Sequence, residues 1–218
     1  MNLVVISCAK DPSPYIRERC KTSVRTQLTP AIHLYLDDPG PLLEKVYYTV
    51  HGLHPSDVVC MVDGDDWLAT EHALSCVHQA YDDGAWMTWG SYFLQDAPVA
   101  DGISHDVHNR RACRSIPWFA SHLKTFRAGL FQQIQKEHLH YLGHWLPQCT
   151  DKALMFPMLE MAAEHGRFIP QAIYIYDPSG RRARGNDTPG TPLHQEMKAC
   201  ESFLRDLPVY PRLKRAPW

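Results

Sequence analysis

The first seventy residues alternate short apolar runs with amphipathic stretches, and this restricts the fold more than any other feature of the sequence. Leu3–Cys8 is a continuous apolar run, the length and character of a strand covered on both faces. Loop chemistry follows in Lys10-Asp11-Pro12-Ser13-Pro14, with Ser13 suited to cap a helix and Pro14 to open it. That helix runs to about Arg25, carrying Ile16, Cys20 and Val24 on one stripe. Ile32–Leu36 is a second strand, closed by Asp37-Asp38-Pro39-Gly40. Residues 42–53 form a second helix and residues 57–62 a third strand. Such alternation predicts a parallel sheet with helices on its faces, and ligands of such sheets gather at the carboxyl ends of the strands. Two acidic turns fall there: Asp37-Asp38, and Asp63-Gly64-Asp65-Asp66.

Further on, a helix is expected from Thr70 to about Tyr81, an aromatic strand over residues 85–93, and a long loop over residues 95–117. A helix from Ser121 would place Leu123, Phe126, Leu130 and Ile134 on one face. Thr150 and Asp151 open another, running to about Glu164 with Pro157 as a kink or a late start. Residues 168–176 read as a strand, residues 177–192 as a loop rich in Gly, Pro and Arg, and residues 193–206 as a final helix.

No apolar run approaches the ~20 residues of a membrane helix, and the N-terminus lacks the basic lead and apolar length of a signal peptide. The expectation is a soluble, non-secreted chain in the cytoplasm of a bacterium or a virus-infected cell. Its 22 basic and 24 acidic residues leave a charge of −2, which neither demands nor excludes a nucleic-acid partner. The 7 cysteines show no CxxC spacing, which argues against a zinc ribbon or a thioredoxin-type motif and for buried thiols.

The acidic turn carries the chemistry. Three carboxylates at the end of a buried strand repel one another and need a compensating charge. Asp63 and Asp65, two apart, can share one side of an extended chain, and Gly64 leaves room for a ligand. Hard cations favour one or two carboxylates together with substrate phosphates, so the reading is a metal–diphosphate site. The plainer alternative is an acidic turn facing water. A calcium-binding EF-hand loop fails, because Trp67 stands where an acid or amide is needed and no glycine follows. An aspartate-nucleophile phosphatase would want Thr or Val in place of Trp67, and would place the motif after the first strand rather than the third.

With these elements in order, the sequence resembles the family-2-like glycosyltransferases of the GT-A fold. The resemblance rests on Val62-Asp63-Gly64-Asp65-Asp66-Trp67-Leu68, on Asp37-Asp38 and on Thr150-Asp151. Ser121-His122-Leu123-Lys124-Thr125-Phe126 and Met155-Phe156-Pro157-Met158-Leu159-Glu160-Met161 resemble a compact, largely bacterial and viral branch. The resemblance implies an α/β nucleotide-binding fold, a mixed, mostly parallel sheet flanked by helices. It implies one domain over 1–218, with a nucleotide-sugar half at 1–92, an acceptor-side half at 93–192, and a C-terminal helix and tail at 193–218. It further implies transfer of a sugar from a UDP- or GDP-sugar to a hydroxyl, with inversion, using Mn²⁺ or Mg²⁺. Carried over, Asp63 and Asp65 match the acids that bind the metal and the donor's ribose or phosphates. Asp38, or Asp37, matches the acid at the base or ribose. Lys10, Asp11 and Arg17 lie in the turn that wraps the base, and Lys124 is a cation for the phosphates. Asp151 matches the general base. Many members carry a further histidine ligand, for which His165 and His194 are the candidates.

For the acceptor side the candidates are Trp89, Trp118, His122 and Glu160. The plainer readings are core tryptophans, a satisfied structural histidine and, for Thr150 or Asp151, a simple helix cap. His140 and His144 are four apart, but no HExxH accompanies them and Gly143 interrupts any helix, so zinc is not supported. Three basic clusters stand out: Arg110-Arg111-Arg114, Arg181-Arg182-Arg184 and Arg212-Lys214-Arg215. They could track a phosphate backbone, which keeps a hydroxylated DNA base (a phage-type DNA modification) level with a glycan or protein hydroxyl as the acceptor. A nucleotidyltransferase on a similar sheet and a non-catalytic nucleotide-binding module are the alternative functions.

Overall fold

The computed structural model describes residues 1–8, 13–95, 97–100, 112–179 and 188–218. The elements in chain order are β1 (Leu3–Cys8), α1 (Pro14–Arg25), β2 (Ile32–Leu36), α2 (Leu42–His51), β3 (Val58–Asp63), β4 (Trp67–Leu68), α3 (Ala73–Asp82), β5 (Met87–Leu94) and β6 (Ala97–Ala100). After these come β7 (Lys124–Arg127), α4 (Ala128–Phe131), β8 (His140–Tyr141), β9 (His144–Trp145), α5 (Thr150–Ala162), β10 (Gly166–Tyr176) and α6 (Pro192–Asp206). The expected opening alternation is present. Ser13 caps α1, its hydroxyl accepting the Ile16 amide at 3.3 Å, with Pro14 in the first turn.

The main sheet has the order β2-β1-β3-β7-β5-β10-β4, with β6 paired to β5. β1, β2, β3, β5 and β10 run in one direction, and β4, β6 and β7 in the other. Alternate side chains feed two cores. Val4, Ile6, Val59 and Met61 face α2, α4, α5 and α6; Leu3, Val5, Val58, Cys60 and Val62 face α1 and α3. β8 and β9 form a separate hairpin.

Four expectations are corrected. The helix expected from Ser121 is instead strand β7, followed by the short α4. Lys124–Arg127 fills the space between β3 and β5, and pairing on both sides outweighs the four-residue apolar spacing. Leu123 and Phe126 consequently belong to opposite cores, where a helix would have put them on one face. Within the expected loop over residues 95–117, β6 extends the sheet. Pro157 does not delay α5: it sits inside a helix buried from Ala153 to Ala162. Neither Thr150 nor Asp151 is the cap, since that position belongs to Cys149, in the left-handed region at φ 58°.

Candidate active site

A cavity of about 360 Å³ opens at the carboxyl ends of β3 and β10. Asp63, Asp65, His122, Lys124, Trp118 and Asp151 line it, together with Asp177, which follows β10. Sequence positions more than a hundred residues apart thus converge as the parallel-sheet rule requires.

The acidic turn is held by its neighbours. The Gly64 amide donates to the Cys8 carbonyl at 2.9 Å, and the Tyr35 hydroxyl donates to the Gly64 carbonyl at 3.2 Å. The Asp63 amide donates to the Tyr174 hydroxyl at 3.0 Å. That same hydroxyl donates to Asp66 at 2.7 Å, and the Asp177 amide donates to the other Asp66 oxygen at 2.8 Å. Asp66 is fully buried. Burial foremost, then Asp63 and Asp65, pushes its pKa well above the usual carboxylate range, and the Asp177 and Tyr174 hydrogen bonds pull against that. Asp177 is also buried; it accepts the Ser179 amide at 2.8 Å and, with the Gln95 amide correctly oriented, two contacts from Gln95 at 3.1 and 2.8 Å.

His122 lies against the sheet, which Gly90 permits. A Cβ on Gly90 would stand 3.1 Å from the His122 carbonyl oxygen and 3.3 Å from the Leu123 nitrogen. The imidazole stacks parallel to Tyr174 at 4.5 Å and to Tyr176 at 5.6 Å, and meets Tyr92 edge-on. Asp63, Asp66 and His122 each offer one ligand atom within 4.8 Å of the others. Two carboxylates and an imidazole fit a divalent transition ion such as Mn²⁺. The trio contains Asp66 where the sequence pointed to Asp65, and its histidine is His122, whereas the sequence offered His165 and His194. His165 instead stacks on Trp86 at 4.2 Å, and the His194 amide donates to Thr191, the cap of α6.

The left-handed Cys149 turns the chain into α5, and Asp151 in the first helical turn reaches the cavity. One of its oxygens accepts the Lys152 amide at 2.9 Å, and the helix N-terminus favours its anion. Lys124 is 7% exposed, its ammonium brought to a cavity lined by four acids.

Other candidates lie elsewhere. Trp89 is fully buried between Phe119 and Phe168, so it cannot meet an acceptor. Glu160 is also fully buried, bound to Arg114 at 2.5 and 3.0 Å and to the Tyr210 amide at 3.0 Å. That pair withdraws Arg114 from any phosphate track, and Arg212 is paired with Glu164. Arg17 is bound to Asp37 at 2.5 Å, while Asp38 is exposed beside it and its carbonyl accepts Lys45 at 2.8 Å. Lys10, Asp11, Arg110, Arg111, Arg181, Arg182 and Arg184 lie outside the described residues. Asp66 was read only as part of the acidic turn, and Tyr174, Asp177 and Gln95 were not singled out in the sequence. Asp177-Pro178, an acidic turn ending a strand, carries the same signal as Asp63.

Among solved structures the chain resembles Staphylococcus aureus TarS 1–349, with a TM-score of 0.59 at 12% identity over 94% of this chain and 70% of that one. TarS in complex with UDP-GlcNAc superposes equally well. Mannosyltransferase PcManGT from Pyrobaculum calidifontis, in complex with GDP-Man and Mn²⁺, gives 0.53 at 14% identity over 93% and 69%. Glucosyl-3-phosphoglycerate synthase from Mycobacterium tuberculosis, with Mn²⁺, UDP and phosphoglyceric acid, gives 0.54 at 8% identity over 95% and 79%. The chain has the GT-A glycosyltransferase fold. In this GT-A sheet the acidic turn stands at the end of the third strand, as the alternation of strands and helices in the sequence led one to expect. No protein-family model and no curated protein matches the chain. Among the described residues, no helix is long and apolar enough to cross a membrane.

Proposed function

We propose that this chain is a metal-dependent glycosyltransferase, moving a sugar from a nucleoside-diphosphate donor to a hydroxyl. The observation that carries the reading is the convergence of Asp63, Asp65, His122, Lys124 and Asp151 on one cavity of about 360 Å³. The relatives in fold, held with UDP-GlcNAc, GDP-Man, UDP and Mn²⁺, support it.

Asp63, Asp66 and His122 would hold Mn²⁺ or Mg²⁺, which when bound supplies Lewis-acid stabilisation of the departing diphosphate. Asp65 faces the donor's ribose or phosphates. Lys124 adds a positive charge where the leaving group gains negative charge, in a setting that strengthens the attraction. Asp38 and Arg17, with Asp11 in the adjoining turn, serve the base and ribose. Asp151 accepts the acceptor's proton as its oxygen bonds to the anomeric carbon. The carbon–oxygen bond to the diphosphate breaks with its electron pair on the departing oxygen, and a single displacement of this kind inverts the anomeric centre. Trp118, with Leu154 and Met155, forms an apolar wall for the flat face of an acceptor. Burial of Arg114 against Glu160 removes one cation from a phosphate track; the acceptor is a glycan or protein hydroxyl or a hydroxylated DNA base.

The test is a panel of UDP- and GDP-sugars with Mn²⁺, offered to glycan, protein and hydroxymethylated-DNA acceptors and read by mass spectrometry. Wild type is expected to release nucleoside diphosphate with one donor. Asp151→Asn is expected to lose ~10²–10⁴-fold in turnover while still binding donor, and Asp63→Ala to lose metal-dependent turnover. Undiminished turnover in Asp63→Ala would sink the reading.

A further inference from the structure

At the open edge of the sheet a second cavity, of about 650 Å³, lies between α1 and β2. Lys21, Arg25, His33 and Tyr35 line it together with the buried Val24 and the exposed Pro30. Its size suits a small ligand, and its charge is positive. The Lys21 ammonium stands 4.7 Å from the centre of the Tyr35 ring. Among the described residues, Arg25 is tied to the exposed Glu18 at 3.3 Å and to Thr22 at 3.0 Å, contacts worth little in water. Two cations that a compact polyanion can recruit therefore flank one groove.

Two of the lining side chains reach the acidic turn from behind. The Tyr35 hydroxyl donates to the Gly64 carbonyl at 3.2 Å. His33 Nε2 is bonded to the Ser7 hydroxyl at 2.9 Å; that hydroxyl contacts the Cys20 thiol at 3.5 Å, and the thiol donates to the Asp63 carbonyl at 3.8 Å. Ser7 and Cys20 are both fully buried, so this route runs through packed protein.

We propose that this groove is a second anion site, for a small phosphate-type polyanion, and that its occupancy is transmitted through Tyr35 and the His33–Ser7–Cys20 route to the backbone of the acidic turn. A ligand that draws Lys21 off the Tyr35 ring changes what holds the Gly64 carbonyl.

The probe is sodium pyrophosphate in metal-free buffer, titrated into ¹⁵N-labelled protein and followed by amide shifts. In wild type, amides of residues 21–35 and the Gly64 amide are expected to move with one dissociation constant. Lys124→Ala, which removes the cation of the first cavity, should leave that titration in place. Lys21→Ala/Arg25→Ala, at positions that contribute little to packing, should weaken it about tenfold or more. Tyr35→Phe should keep the groove shifts and lose much of the Gly64 response. Silent groove amides, a titration unchanged in Lys21→Ala/Arg25→Ala, or one abolished by Lys124→Ala would each overturn the site. A full Gly64 response in a Tyr35→Phe/Ser7→Ala protein would overturn the transmission. Neither readout requires catalysis, so failure here is distinguishable from failure of the glycosyltransferase reading.

Discussion

Asp66 is a carboxylate removed from water, gripped by the Tyr174 hydroxyl and the Asp177 amide, with Asp63 and Asp65 beside it. Charge at that spot is costly unless a cation answers it. On the proposed reading, a divalent ion held by Asp63, Asp66 and His122 would meet that need, and Asp65 would serve the donor. Mn²⁺ affinity, read by calorimetry, is therefore expected to fall tenfold or more, ~1.4 kcal/mol, in Asp63→Asn and Asp66→Asn, and by less in Asp65→Asn. The opposite order would return the second carboxylate to Asp65. The sequence exposed all three acids but could not rank them. Ranking depends on Tyr174 and Asp177, more than a hundred residues away, whose hydrogen bonds take Asp66 inward.

Among the elements, α5 and α6 are joined directly by the Lys152–Glu201 pair at 2.7 Å and, from a third segment, by the buried Arg114. Arg114 binds Glu160 of α5 and the Leu204 carbonyl of α6, and Glu160 accepts the Tyr210 amide of the tail. Breaking such a pair leaves a buried charge uncompensated. Arg114→Ala is expected to cost ~3–5 kcal/mol in urea unfolding; a loss below about 1 kcal/mol would mean that the pair does not dock these elements. Glu160 looked acceptor-facing because nothing near it in sequence announces Arg114, 46 residues upstream. Local signals served better where local physics decides, as with Ser13-Pro14 opening α1 and Thr191-Pro192 opening α6. They failed for Lys124–Arg127, whose conformation is set by two partner strands rather than by its own spacing. Trp89 failed likewise: an aromatic strand reads the same whether it lines a pocket or fills a core.

For the whole molecule, pH enters through histidines that the fold keeps neutral. His33 lies below the ordinary value of 6.5, chiefly by burial and then by Lys21; His138 does too, chiefly by burial and then by Arg114. The unfolded chain takes up these protons near 6.5 while the folded chain resists them. Their contribution is thus intact above 6.5 and declines as pH falls toward the lowered folded values. Thermal unfolding should show the midpoint falling between about pH 7 and pH 5, and falling less in His33→Gln/His138→Gln. An equal fall in that variant would assign the loss to other groups.

The burial of α5 from Ala153 to Ala162 has a mechanical corollary. A rod clamped along its length cannot slide, tilt or fray at one end without prying apart the layers around it. Asp151 rides on the tip of that rod, so its carboxylate is a stationary anvil on the cavity wall. Amide exchange along α5 should therefore be among the slowest in the chain.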